Sequence, residues 1–293
     1  KKMLQGTYVA LITPFKNGSI DWTALENLIQ FHLENGTTGI LLLGTTAETS
    51  ALASDEKDAL LRFAMKKIDS KLPVMIGTGT NNLHQTLAST QKAKELGADY
   101  ALIITPYYIK PTQKGMLEYY GIIASKVDIP IIIYNVPGRT SVNMNAATTV
   151  ELAKTYPNIV GVKDATGNIV QATQIIRDAP DNFSLMSGED AMNLPLIAIG
   201  GKGTISVTAN VAPRLVSEHI STCLQGDFVT AAKQHQYLAR LNEMMFIETN
   251  PIPAKEALAM MGKINLAFRS PMCPLLETNR AMLKQCLQDY NLL

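Results

Sequence analysis

Cysteine is scarce in this chain. Cys223, Cys273 and Cys286 are the only three in 293 residues, they are widely spaced, and no CxxC pair occurs. That distribution argues against a disulfide framework and a thiolate metal site, and it suits reduced thiols in a reducing, cytoplasmic compartment. The same expectation silences the sequon Asn35-Gly36-Thr37 as a glycosylation site. An excess of either charge is also missing: 26 Lys and Arg stand against 25 Asp and Glu. A net charge of +1 supplies no global field to recruit nucleic acid or an anionic membrane. Long apolar runs are absent as well. The runs at 40–43 and 131–133 fall far short of the roughly 20 residues that cross a bilayer, and no apolar N-terminal stretch reads as a signal peptide. His32, His84, His219 and His235 lie in helical patterns without an HExxH motif or paired carboxylates, so no metal site is expected.

What the chain does have is apolar material in a repeating order. Hydrophobic residues make up 46% and charged residues 17%, enough for a sizeable core without charge-driven disorder. Short β-branched runs at 8–12, 39–43, 74–77, 100–104, 131–134, 159–163, 184–186 and 204–207 read as strands. Between them, segments such as 23–35, 54–68 and 82–96 carry apolar residues at three- and four-residue spacing and read as helices. Strands that are apolar throughout must be buried on both faces, as in a parallel sheet. Eight βα units in a chain of this length fit a closed (β/α)8 barrel better than an open doubly wound sheet. The barrel is expected over residues 1–225, with 215–225 as its eighth helix. Residues 226–293 are expected to form an appended helical region packed on the barrel, with helices at 228–247, 253–261 and 277–287. Asn250-Pro251-Ile252-Pro253 is a rigid break within that region rather than a flexible tether.

In such a barrel the chemistry gathers where the strands end at their carboxyl termini. Lys163 ends an apolar strand and shares a face with Ile159 and Gly161. If that face points inward, the glycine leaves room beside an amine that burial keeps neutral, and a neutral amine adds to carbonyls to form a Schiff base. The alternative is an ion pair with Asp164 at the rim. Tyr134 ends the neighbouring strand and places a phenol where it can carry protons for such an intermediate, although a buried tyrosine also serves packing alone. Thr45 and Thr46 lie between a strand and a helix, where hydroxyls and free N–H groups either hold a carboxylate or simply cap the turn. Gly77-Thr78-Gly79-Thr80 is half a dinucleotide fingerprint, with Asn82 in place of the third glycine, and a nicotinamide site is not expected. Gly200-Gly201-Lys202-Gly203 precedes its strand, which puts it on the rim away from the chemistry and argues against a phosphate loop.

Four motifs taken together resemble the dihydrodipicolinate synthase family of pyruvate-dependent lyases. They are Gly44-Thr45-Thr46-x-Glu48, Thr105-Pro106-Tyr107-Tyr108, the Tyr134-to-Thr140 run YNVPGRT, and Gly161-Val162-Lys163-Asp164-Ala165-Thr166-Gly167. Ser187-Gly188-Glu189-Asp190 and the Asn250 motif extend the match over essentially the whole chain. The resemblance implies a (β/α)8 barrel with a C-terminal helical region, neither organic cofactor nor metal, and condensation of pyruvate with aspartate 4-semialdehyde in lysine and diaminopimelate biosynthesis. It implies Lys163 as the amine that captures pyruvate, and Tyr134, Thr45 and Tyr108 as a hydroxyl relay. Thr46, Arg139, Gly188 and Ile205 are implied to bind substrate, Arg139 through a forked grip on the second carboxylate. Tyr108 is implied to reach a neighbouring subunit within a homotetramer built as a dimer of dimers. An allosteric lysine cleft is implied at Thr49, Ser50, Lys57, Asn81, Gln85 and Tyr107. Gln85 there replaces a glutamate of lysine-sensitive relatives, and Lys57 replaces a histidine or an acid, so feedback is expected to be weak. Ala47 departs from the family's usual glycine, which raises the prospect of a strained turn. N-acetylneuraminate lyase or a keto-deoxy sugar aldolase is the alternative activity, and a non-catalytic binding barrel is the alternative of another class.

Overall fold

The computed structural model describes residues 3–293. Ten strands form, in chain order β1 (Gly6–Ala10), β2 (Phe15–Lys16), β3 (Ser19–Ile20), β4 (Gly39–Leu42), β5 (Val74–Gly77), β6 (Tyr100–Ile104), β7 (Ile131–Asn135), β8 (Ile159–Asp164), β9 (Ser184–Ser187) and β10 (Gly203–Ser206). Eight of them close into a barrel in the order β1-β10-β9-β8-β7-β6-β5-β4, with parallel pairing wherever a register is resolved. The chain is therefore a (β/α)8 barrel, as the alternation of short apolar runs and amphipathic segments predicts. The strand interiors are buried on both faces: Ile131, Ile132 and Ile133 of β7, for example, have no measurable exposure.

The helices are α1 (Trp22–Glu34), α2 (Ser54–Ile68), α3 (Leu83–Glu95), α4 (Gln113–Lys126), α5 (Pro137–Thr140), α6 (Ala146–Thr155), α7 (Ile169–Asp178), α8 (Asn193–Ala198) and α9 (Pro213–Leu224). Beyond them lie α10 (Phe228–Met244), α11 (Ile252–Met260) and α12 (Glu277–Asp289). Several start where a side chain satisfies a free N–H: Asp21 caps α1, Asn82 caps α3, Thr112 caps α4 and Asn168 caps α7. Among the described residues no helix is long and apolar enough to cross a membrane.

By contact density the chain divides into two compact units. One comprises residues 73–205 with the N-terminal residues through Gly6, and the other comprises 7–72 with 206–293. In the second unit, α10 packs on α9 and on α12, and α11 packs on α12. That unit also holds an element the sequence reading left out, the antiparallel pair β2–β3. Asn17 and Gly18 connect these strands with φ of 52° and 78°, the left-handed pair that a tight hairpin turn demands.

Two glycine motifs resolve as close-approach devices. A Cβ on Gly203 would lie 2.0 Å from the carbonyl oxygen of Gly6, whose N–H donates to the Lys202 carbonyl. A Cβ on Gly79 would lie 2.5 Å from the Ile104 nitrogen. Both glycines let backbones meet.

Candidate active site

Within the first unit, Tyr134 and Lys163 are register partners on the adjacent strands β7 and β8. Both are buried, at 6% and 5% exposure, and the Lys163 Nζ lies 4.1 Å from the centroid of the Tyr134 ring. The strand pairing thus delivers an amine and a phenol to one place at the carboxyl end of the barrel. The amine rests over the electron-rich face of an aromatic ring, and the strand positions confine both groups with little freedom to move apart.

The room beside Lys163 comes from a glycine other than the one predicted. A Cβ on Gly161 would strike the Ser184 carbonyl at 2.6 Å and crowd Ile132 and Leu4, so that glycine serves strand packing. Gly188, after β9, is the one against the lysine: a Cβ there would sit 3.0 Å from Lys163 Cγ. Its N–H donates to the Asp164 carbonyl at 2.7 Å, which holds the segment against β8.

Asp164 does not neutralise Lys163 in the manner of a rim ion pair. Its Oδ1 accepts from the Thr166 N–H and hydroxyl, its Oδ2 is buried without a partner, and burial raises its carboxyl above the usual range. Glu189 is raised too, by burial first and then by the charges of Asp190 and Asp164.

Arg139 follows Tyr134 closely, on the short helix α5, and its side chain is exposed. The chain beyond it is held by amides. Asn135 donates to Asn143 Oδ1 and the Met144 carbonyl and accepts from the Met144 N–H, while Gln171 and Gln113 also bond Asn143. Tyr107 and Tyr108 are exposed in the loop after β6, and Tyr108, at φ 72° and 86% exposure, does not join the packed group around Lys163. Asn81 donates to the Tyr107 carbonyl at 3.3 Å, and Gln85 is exposed in the first turn of α3. Ile205 is buried in β10.

In the second unit, Thr45 and Thr46 form a 3₁₀ turn, Thr45–Ala47, directly after β4. Thr46 is buried, and Thr49 donates back to the Gly44 carbonyl at 2.8 Å. Ala47 is not where the turn is strained. The left-handed residues are Leu43 at φ 54° and Glu48 at φ 53°, which flank it, and Ala47 is simply buried, with its carbonyl accepting from Thr13. Ser50 is exposed and Lys57 lies half-buried in α2.

Three residues that the sequence reading did not select complete this region. Asn250 donates to the Thr46 hydroxyl at 2.8 Å, and Lys255 of α11 forms a fully buried ion pair with Glu48 at 2.5 Å. Arg269 donates its N–H to Glu48 and its guanidinium to Glu56, Ala51 and Gly18. The Asn250 motif was visible in the sequence. Its partner, 204 positions away, was not.

Comparison with known proteins bears on the whole chain. A family model described as the dihydrodipicolinate synthetase family matches residues 3–290. A 4-hydroxy-tetrahydrodipicolinate synthase from Thermodesulfovibrio yellowstonii is 47% identical over 99% of this chain and 100% of its own length. The crystal structure of dihydrodipicolinate synthase from Aquifex aeolicus superposes with a TM-score of 0.97 at 46% identity, covering 99% of each chain. That of the enzyme from Cyanidioschyzon merolae, described with lysine bound, gives 0.96 at 34% identity over 100% of each chain. With its barrel, its strand-end lysine and tyrosine and matches of this extent, the chain belongs to the dihydrodipicolinate synthetase family.

Proposed function

We propose that this chain is an enzyme that condenses pyruvate with aspartate 4-semialdehyde to give 4-hydroxy-tetrahydrodipicolinate, the step that commits carbon to lysine and diaminopimelate. The observation that carries this reading is the buried Lys163 amine, 4.1 Å from the Tyr134 ring at the ends of paired strands. The amine adds to the pyruvate ketone and water leaves, which gives an imine. Loss of a methyl proton converts the imine to an enamine, and its carbon attacks the aldehyde of the second substrate. The aldehyde oxygen takes up a proton as the carbon–carbon bond forms. The second substrate's own amine then displaces Lys163 and closes the ring.

Each step moves a proton, and general acid–base catalysis needs a group within hydrogen-bond reach. We assign this to Tyr134, with Thr45 and Tyr108 extending the relay. Thr46 seats the pyruvate carboxylate, Arg139 takes the carboxylate of the semialdehyde with a forked pair of hydrogen bonds, and Gly188 and Ile205 shape the pocket. The exposed, left-handed Tyr108 fits a residue that completes a neighbour's site, which supports a homotetramer assembled as a dimer of dimers. The free thiols Cys223, Cys273 and Cys286 fit a cytoplasmic setting.

Borohydride reduction in the presence of pyruvate, followed by peptide mapping, is expected to place the adduct on Lys163. Turnover is expected with aspartate 4-semialdehyde and not with N-acetylneuraminate. An adduct on another lysine, or full activity in Lys163→Ala, would remove the mechanism.

A further inference from the structure

Residues of the C-terminal segment bond the turn that follows β4. Asn250 Nδ2 donates to the Thr46 hydroxyl at 2.8 Å, and both side chains are buried. A hydroxyl has one proton to give and two lone pairs to accept with. With one lone pair occupied by Asn250, the threonine proton is turned away from the amide and presented as a donor. A carboxylate, which only accepts, needs that polarity. The turn that carries Thr46 has left-handed, non-glycine residues on both sides, Leu43 and Glu48, a conformation that persists only where the surroundings impose it. Glu48 is held from the same C-terminal stretch: Lys255 pairs with its carboxylate and the Arg269 N–H donates to it.

We propose that Asn250 is a positioning residue that acts through Thr46, fixing its hydroxyl as a hydrogen-bond donor toward the pyruvate carboxylate. This inference rests on the condensation reading above. It makes residues that follow the barrel part of the binding machinery for the first substrate, and it separates two roles that look alike in a static picture. A structural Asn250 would affect stability. A positioning Asn250 affects the apparent affinity for pyruvate.

The test is a kinetic double-mutant cycle between Asn250→Ala and Thr46→Val, with Asn250→Asp as a third variant and melting temperatures measured throughout. Asn250→Ala is expected to raise the pyruvate KM about tenfold or more and to change kcat by less than about threefold, since Thr46, no longer held as a donor, loses its hydrogen bond to the charged carboxylate. In the Thr46→Val background the same substitution is expected to change the pyruvate KM by less than about twofold. Asn250→Asp matches asparagine in shape but accepts the Thr46 proton, so it is expected to raise KM more than alanine does; a role in packing alone predicts the reverse order. If the aspartate variant fails to fold, the cycle with Asn250→Ala decides. Multiplicative effects in the cycle, or an unchanged pyruvate KM in a folded Asn250→Ala, would overturn the inference while leaving the condensation reading intact. Wild-type protein that forms no pyruvate adduct on Lys163 would overturn both.

Discussion

Replacing Lys255 by methionine keeps most of the side chain, one heavy atom short, and removes its charge. The structure sets what that costs. Lys255 Nζ lies 2.5 Å from Glu48 Oε2, both side chains have at most 1% exposure, and the amine stands 4.3 Å from the Phe15 ring and 5.2 Å from that of Phe268. Burial pulls the ammonium below the usual lysine range even against the attraction of Glu48, so desolvation outweighs the pairing at Lys255. Deleting the cation strands the Glu48 carboxylate with the Arg269 N–H, which donates to Oε1 at 3.0 Å. Breaking one half of a buried pair costs about 3–5 kcal/mol, comparable with the Coulomb energy of about 4 kcal/mol for unit charges 4 Å apart at an effective dielectric of 20. The Arg269 guanidinium, 4.6 Å from the same Phe15 ring, leaves some positive charge nearby and places the expectation at the lower end, about 3 kcal/mol. The double variant Lys255→Met with Glu48→Gln removes the stranded charge, and the glutamine carbonyl still accepts from Arg269. Its cost is expected to stay within about 1 kcal/mol of wild type, because a buried pair gains little over neutral groups of similar volume. Urea denaturation of the wild type, both single variants and the double variant reads the difference from midpoints and slopes. If the double variant loses the sum of the two single losses to within about 0.5 kcal/mol, the two groups are not coupled and the reasoning is wrong.

Acid sensitivity should originate partly at His32, which is buried, bonds Thr37 through Nδ1, leaves Nε2 without a partner, and is pushed down to about 3 by burial and then by Lys263. The unfolded chain takes up that proton below about pH 6.5, so the contribution is complete above that pH and is lost at about 1.4 kcal/mol per unit as pH falls toward 3; equal slopes in wild type and His32→Asn between pH 6 and 4 would refute this. Mixing inactive Lys163→Ala with inactive Tyr108→Phe is expected to restore part of the activity through hybrid dimers carrying one intact site, and no recovery despite proven subunit exchange would return Tyr108 to its own chain. Lysine is expected to inhibit weakly: if the cleft implied by the family resemblance is present, Lys57 would add a positive charge against a ligand with two ammonium groups, and Gln85 would offer no carboxylate to pair with them. Inhibition at sub-millimolar lysine in the condensation assay would show that argument to be wrong.

The parts of this molecule that could be read in advance are those whose cause is local or periodic. The strands announce themselves because a barrel strand must be apolar on both faces, and the reading of 131–134 and 159–163 missed β7 and β8 by a single residue at the carboxyl end. Lys163 was legible for the same reason, as a charge at the end of such a run. At the first strand the cause was shared, and the reading ran two residues late: Leu11 and Ile12 are buried although β1 ends at Ala10, and the Ile12 N–H donates to the side chain of Asn210 instead of a strand. The β2–β3 hairpin carries its own sequence signal, since Asn17-Gly18 between the alternating flanks Phe15-Lys16 and Ser19-Ile20 is a turn signature, although its strands are far shorter than those of the barrel. What no local rule reaches is a partner chosen by the fold. Asn250 and Lys255 find Thr46 and Glu48 across 204 and 207 positions, and a lysine in an apolar helix reads as an exposed charge until its carboxylate is seen. The turn they hold carries a local signal opposed to its own conformation. Leu43 and Glu48 adopt a conformation that their side chains disfavour, on either side of Thr45, proposed for the relay, and Thr46, proposed to hold substrate. Where local preference and tertiary structure disagree, the strain has to be imposed from outside the turn, and at Glu48 the side chain is held from the C-terminal region by Lys255 and the Arg269 N–H. Under the proposed function, the C-terminal region therefore reaches the turn that carries Thr45 and Thr46 through contacts that no local sequence rule exposes.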